Sequence, residues 1–305
     1  MARLNEQLNE WQCSGVDLCS SPRALFPCRS FVRVPTVCCV QEVGAAISRA
    51  LKDGVVKRSD LFVTTKVWND VHTRSLALQS VRDSLADLQL DYLDLVLIHW
   101  PVNFVNQGPG GSPFPKDAAG VVINETDPSK ASVQLCWQGL EDAVGAGLTR
   151  AIGVSNFSPA QCDELLAYAS VKPACNQVEV HPYLPQKELA AYLKAKAMAM
   201  VAYSPLGNLR AAGAEDVTPL NDEAVKAAAA KHNKTPAQVV LRWGVQRGHA
   251  VLPKSITESR IVSNIQLADF VLDDEDMAAI DALGAKQQRF INPSFNVNGS
   301  NVFPA

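Results

Sequence analysis

The chain has 305 residues, an apolar fraction of 47% and a charged fraction of 19%, values typical of a soluble globular protein. Its formal net charge of -3 and pI of about 6.0 argue against a nucleic-acid or membrane-surface partner, which would require a concentrated basic face. The length allows two ordinary domains or a single α/β barrel, since barrels often exceed about 250 residues.

The first 41 residues carry no regular pattern. They contain three prolines and five of the eight cysteines, and only SFVRV (30–34) is compatible with a strand. The cysteine spacings match no zinc pattern, so we predict no metal site and free thiols. The N-terminus lacks the apolar core of a signal peptide, which favours a cytosolic location. We therefore predict an irregular segment over 1–41 and one barrel domain with a C-terminal tail over 42–305.

From about residue 42, short apolar runs alternate with amphipathic stretches. The runs are rich in Val, Ile and Leu, which predicts strands buried on both faces, near 61–65, 93–99, 150–154, 176–180, 199–204 and 249–253. Helices are predicted near 42–53, 73–89, 132–146, 159–169, 186–197, 222–232, 236–247, 257–267 and 274–283. This alternation predicts a parallel sheet with right-handed crossovers. Either a (β/α)8 TIM-type barrel, incomplete at its first two strands, or an open doubly wound sheet would fit.

Some boundaries have local signals. Ser158 and Thr235 each precede a proline and stand three residues before a glutamine, which predicts capping boxes with proline in the first turn. Ser255 and Glu258 have the same box spacing just after the last strand. Residues 103–131 are rich in glycine and proline, and this composition predicts a long loop. Loops of this length are usually functional or mobile.

Short strings of residues stand at or just after the strand ends. In chain order they are EVGAAI (42–47), VTTKVW (63–68), LIHWP (97–101), GVSNF (153–157), NQVEVHPYL (176–184), AYSPLG (202–207) and LPKSITESRIVSN (252–264). Seven such strings in this order resemble the aldo-keto reductase family over about residues 42–292. The resemblance implies a barrel with its active site at the C-terminal ends of the strands. It also implies NADP(H) as cofactor and a small carbonyl or alcohol substrate. We expect the chain to be a monomer.

The resemblance also implies catalytic roles. In that family a hydride passes from the nicotinamide to a carbonyl carbon, and a tyrosine protonates the developing alkoxide. A lysine lowers the pKa of that tyrosine, and a histidine orients the carbonyl. At the matching positions stand Lys66 and His99, which we expect to be catalytic, and Trp68 and Trp100, which we expect to line the substrate pocket.

Cofactor contacts follow from the same matches. The side chains expected at the nicotinamide and the pyrophosphate are Ser155, Asn156, Gln177, Tyr203, Ser204 and Leu206. The Tyr203 ring is expected to stack on the nicotinamide, and Ser155, Asn156 and Gln177 are expected to bind its carboxamide. Ser204 and Leu206 are expected to line the pyrophosphate. Burying several polar side chains at strand ends would be costly without a polar partner.

The other end of the cofactor is matched after the last strand. Lys254, Ser255 and Arg260 are expected to hold the adenosine 2′-phosphate, because two cations and a hydroxyl at a helix start form a good phosphate site. Asn264 matches an adenine contact. Ser263 stands where many members have a glutamate, which predicts weaker adenine contacts.

The N-terminal segment departs from the family. An ungapped count from Glu42 places Val32 at the position of the family's aspartate and Val37 at that of its proton-donating tyrosine. There is no tyrosine before Tyr92. Either an incorrect gene start has replaced the true segment, or this is a divergent member that has lost its proton donor. Three outcomes stay open: an oxidoreductase with impaired turnover, an NADP(H)-binding regulatory module without turnover, or a product that does not fold.

Overall fold

The computed structural model describes residues 29–32, 40–207 and 217–293, the first of these ranges as backbone alone. The strands in these ranges are β1 Arg29–Val32, β2 Leu61–Val67, β3 Leu93–Ile98, β4 Thr149–Ser155, β5 Cys175–Glu179, β6 Ala199–Tyr203 and β7 Ala250–Leu252. All six strands predicted after residue 42 are confirmed, and β1 lies on the SFVRV segment. The irregular segment predicted over 1–41 falls mostly outside the described residues.

The helices of the described ranges alternate with these strands. They are α1 Val40–Lys52, α2 Arg74–Leu88, α3 Val133–Gly145, α4 Pro159–Tyr168, α5 Lys187–Ala195, α6 Glu223–His232, α7 Pro236–Gln246, α8 Glu258–Asn264 and α9 Asp274–Ala282. Within the described part of the chain, no helix is long and apolar enough to cross a membrane. Each helix agrees with its predicted range to within three residues at either end.

Strand order distinguishes the two sheet architectures that the sequence allowed. The strands follow one another in the sheet in chain order, from β1 to β7. An open doubly wound sheet reverses its strand order at a switch point, whereas a (β/α)8 barrel adds each strand beside the preceding one. The pairs β2–β3, β3–β4 and β6–β7 are parallel. This order is that of the incomplete barrel predicted from the sequence.

The described residues form two compact units. One contains residues 40–48, 63–176 and 292–293, and we name it the His99 unit. The other contains residues 29–32, 49–62, 177–207 and 217–291, and we name it the Tyr203 unit. The largest fully buried side chain is a tryptophan in each, Trp137 and Trp243. Each indole N–H has an acceptor, Val171 O at 3.2 Å and Asp281 Oδ1 at 2.8 Å, so neither leaves a buried donor unpaired.

Two of the three predicted capping boxes are confirmed. The hydroxyls of Ser158 and Thr235 accept from the backbone N–H three residues on, and both following prolines lie in the first turn. The box predicted at Ser255 is wrong. Its hydroxyl accepts from the N–H of Thr257 at 3.1 Å, two residues on, and α8 begins at Glu258. A serine side chain can bond the nearer amide in a turn, and here that bond displaces the cap.

The α2–α3 contact depends on the missing side chain of Gly139. A Cβ at this position would collide with the carbonyl oxygen of Arg74 and lie 2.9 Å from the Cβ of Ala77. Because both obstacles belong to the packed helix α2, they cannot easily move. We expect Gly139→Ala to lower the free energy of unfolding by about 1–3 kcal/mol, measured by urea denaturation.

Gly145, the last residue of α3, provides a matched control. A Cβ there meets nothing within 4 Å. Replacing it with alanine relieves the entropy cost of a helical glycine, so Gly145→Ala should leave stability unchanged or raise it by up to about 1 kcal/mol. Equal unfolding midpoints for the two variants would contradict the close helix approach.

Candidate active site

In the His99 unit, a buried lysine and a histidine stand at the ends of neighbouring strands. Lys66 is 5% exposed near the end of β2 and pairs with Leu97 of β3. His99 follows β3, and its backbone N–H donates to Val67 O at 3.1 Å. Burial holds the pKa of the His99 imidazole well below 6.5, and the charge of Lys66 lowers that pKa further. His99 is therefore neutral at pH 7.

Aromatic rings surround this imidazole. The ring of Trp68 meets His99 edge-on at 4.8 Å, and Trp100 lies nearly parallel to it at 6.1 Å. Both tryptophans are buried. The loop 103–131 folds back over Trp68, whose indole N–H donates to Pro113 O at 2.7 Å, while Phe114 packs 5.2 Å away. The structure thus places the predicted pocket tryptophans beside the predicted catalytic histidine and adds part of the predicted loop.

Ser155 and Asn156 join the same cluster from β4. Both are buried, and Asn156 adopts the left-handed backbone region with φ of 64°. Its Nδ2 donates to His99 O at 3.0 Å and to Ser155 Oγ at 3.1 Å. Asparagine is one of the residues that tolerate this backbone region, so the turn after β4 can direct a polar amide at the neighbouring strand end. Ser155 and Asn156 thus lie at the end of β4, next to the backbone of His99.

The His99 unit contains a second buried histidine, His72, which sequence reasoning missed. His72 is fully buried, and its Nδ1 lies 2.8 Å from Asn103 Oδ1. Burial lowers the pKa of His72 to about 4. An amide oxygen is an acceptor, so it holds the ring proton on Nδ1. The signal available in the sequence was weak, because the two residues are 31 positions apart.

Tyr203 is half-buried at the end of β6 in the Tyr203 unit, where Gln177 of β5 is also buried. Burial and then the charge of Glu179 raise the pKa of the Tyr203 phenol far above its ordinary value. The phenol therefore stays protonated. Ser204 follows with φ of 48°, and Leu206 O accepts from the hydroxyl of Thr218 at 3.4 Å. These contacts set the turn in which the sequence predicted pyrophosphate ligands.

The predicted 2′-phosphate residues lie around the start of α8. Lys254 and Ser255 are half-buried just after β7, and Arg260 is exposed as the third residue of α8. Asn264, the last residue of that helix, is 4% exposed. The Ser263 hydroxyl donates to Arg260 O at 3.1 Å. The backbone of this helix is thus fixed while the guanidinium reaches into solvent.

Comparisons of the sequence with a family profile and with known proteins point to the same family. The sequence profile of the Aldo/keto reductase family matches residues 41–285. The chain is 45% identical to aldo-keto reductase family 1 member A1 of Sus scrofa over 264 residues, which are 86% of this chain and 79% of that protein. The corresponding protein of Rattus norvegicus is 46% identical over the same length.

Solved structures agree with the sequence relatives. The aldose reductase of Schistosoma japonicum matches with a TM-score of 0.78 and 34% identity, covering 86% of this chain and 81% of that one. A Bombyx mori aldo-keto reductase, solved in complex with NADP, matches with a TM-score of 0.74 and 34% identity, covering 87% and 81%. At 34% identity, these structures share both the fold and the family of this chain.

Proposed function

Because this chain belongs to the aldo-keto reductase family, we propose that it is an NADP(H)-dependent oxidoreductase that interconverts aldehydes or ketones and alcohols. The observation that supports this most directly is the buried Lys66 beside a neutral His99. A neutral imidazole has one N–H group, which can donate a hydrogen bond to a carbonyl oxygen. A buried ammonium stabilises negative charge that develops on that oxygen.

NADP(H), when bound, supplies the hydride. Ser155 and Asn156 offer a hydroxyl and an amide at the end of β4, a polar pair that fits a carboxamide, which both donates and accepts hydrogen bonds. In the Tyr203 unit, Tyr203 presents a half-buried ring at a strand end, as stacking requires. Lys254 and the exposed Arg260 place two positive charges near the start of α8, where a phosphate from solvent can reach them.

The chain lacks the tyrosine that usually donates the proton to the alkoxide in this family. No tyrosine occurs before Tyr92, and the position counted for the donor is Val37, which lies outside the described residues. His99 or water must then protonate the alkoxide, and a neutral imidazole is a weaker acid than its protonated form. The second candidate function, an NADP(H)-binding module without turnover, is favoured by this same absence. The substrate, the monomeric state and the cytosolic location stay predictions.

Two measurements on the purified chain test the proposal. NADPH fluorescence should be quenched on titration with protein, and reduction of a simple aldehyde should proceed slowly. Quenching without any turnover would favour the regulatory module, and absence of quenching would exclude both functions. Circular dichroism on the same sample identifies a chain that has not folded.

A further inference from the structure

A buried carboxylate with several donors lies at the end of β5. Glu179 is fully buried, and its Oε1 accepts from Phe290 N at 2.7 Å and from His181 Nε2 at 2.9 Å. Its Oε2 accepts from Ile291 N at 3.0 Å and lies 3.7 Å from the guanidinium of Arg289. A buried carboxylate is tolerated when such donors surround it. These hydrogen bonds offset the cost of burying the carboxylate, and they hold a segment that lies more than 100 residues away in the sequence.

The carboxylate holds this segment through its main chain. Two successive amides, of Phe290 and Ile291, donate to the two oxygens of Glu179. Just before them, Gln288 N donates to Tyr183 O at 3.0 Å. A second ion pair of the segment joins Lys286 to Asp222 at 2.8 Å, but this lysine is 46% exposed, and exposed pairs contribute little to stability. Among these described contacts, Glu179 is therefore the strongest attachment of residues 286–291.

Holding Phe290 places its ring against the turn after β6. A Cβ on Gly207 would lie 3.0 Å from the edge of the Phe290 ring, so ring and glycine are in direct contact. The same ring packs on His181 and on Tyr183, with ring centroids 4.9 Å and 6.4 Å away. Gly207 ends the turn that begins at Ser204, and with φ of 78° it adopts a backbone conformation that favours glycine. Phe290 thus supports the turn from outside.

The chain just after Glu179 contacts the residue that precedes this turn. Val180 N donates to Tyr203 O at 3.4 Å. The end of β5 therefore bonds Tyr203, which precedes the turn, through Val180, and supports Gly207, which ends the turn, through Glu179 and Phe290. Residues 203–207 hold the proposed nicotinamide platform and pyrophosphate ligands, and both ends of this segment are supported from the end of β5.

We propose that Glu179 is a positioning residue for NADP(H) binding, which clasps residues 289–291 so that Phe290 holds the turn 203–207 in its binding conformation. This inference rests on the proposed function, because it assigns the turn to the cofactor. By linkage, bound cofactor must in return tighten the clasp. The amides of Phe290 and Ile291 then exchange more slowly when NADPH is bound.

The test uses the full chain with Glu179→Gln and Phe290→Ala. The glutamine keeps the shape but turns an NH2 group toward an N–H donor, so at least one bond is lost. The alanine keeps both backbone donors and removes the ring alone, which makes it the variant less prone to unfold. Each should weaken NADPH binding about 10-fold, within the range of ordinary coupling. Glu188→Gln, an exposed change of the same kind on α5, should have no effect.

Two further readouts separate a positioning role from a general loss of stability. Hydrogen exchange at residues 290 and 291 should accelerate in Glu179→Gln, and NADPH should slow that exchange in the unaltered chain. The double variant should bind NADPH no more weakly than the weaker single one, because both act through one contact. Unchanged NADPH affinity in Phe290→Ala would overturn the inference while leaving the proposed function intact. No NADPH binding by the unaltered chain would overturn both.

Discussion

Replacing residues 1–41 with a family-type segment that carries the aspartate and the tyrosine is expected to raise aldehyde turnover by about 10²–10⁴-fold. That is the usual contribution of a positioned general acid, and Lys66 and His99 already stand at their strand ends. The buried Lys66 would lower the pKa of the introduced phenol and make it a stronger acid than the neutral imidazole of His99. The measurement is kcat for a simple aldehyde at saturating NADPH.

The control is the same segment with phenylalanine in place of its tyrosine. It restores any strand pairing that the segment supplies but delivers no proton. Turnover that rises equally with both segments would show that folding, rather than proton donation, limits the chain. If the unaltered chain already matches the tyrosine version, then His99 or water is a sufficient acid.

Removing the guanidinium of Arg260 is expected to raise the Kd for NADPH by about 10- to 150-fold. A charge-assisted hydrogen bond contributes roughly 1.5–3 kcal/mol, and about 1.4 kcal/mol corresponds to a factor of ten. NADH lacks the 2′-phosphate, so its affinity should not change in Arg260→Ala. Fluorescence titration with both cofactors measures this difference.

Arg82→Ala serves as the control for Arg260, since Arg82 is also an exposed helical arginine but lies on α2. It tests whether net charge alone attracts the cofactor. Equal losses of NADPH affinity in the two variants would place the 2′-phosphate site elsewhere. Weakened NADH binding in Arg260→Ala would mean that Arg260 holds a part shared by both cofactors.

Most of the regular structure could be predicted from the sequence because its signals are local. Apolar runs and helical periods span a few residues, and the boxes at Ser158 and Thr235 use bonds between residues three apart. The same spacing failed at Ser255. The Ser255 hydroxyl can accept from the N–H of Thr257 or from that of Glu258. Which of the two it bonds depends on the backbone path after β7, and the residue spacing does not specify that path.

The positions of several candidate residues at strand ends could be predicted, because each follows from the strand that it ends. Lys66, His99 and Asn156 lie at such ends, while their roles stay predictions. The pairing of His72 with Asn103 and the clasp at Glu179 were not predictable, because each joins residues far apart in the chain. A polar residue in an apolar run signals a buried partner, but not which partner.

The attachment of the loop 103–131 to Trp68 runs through a carbonyl of the main chain, at Pro113. Every residue has a main-chain carbonyl, so substitutions can change the side chains of the loop without removing this hydrogen-bond acceptor. Loops on a rigid scaffold are where barrel enzymes acquire new specificities. A loop attached in this way can vary in its side chains while Trp68 and the neighbouring ring of His99 keep their places.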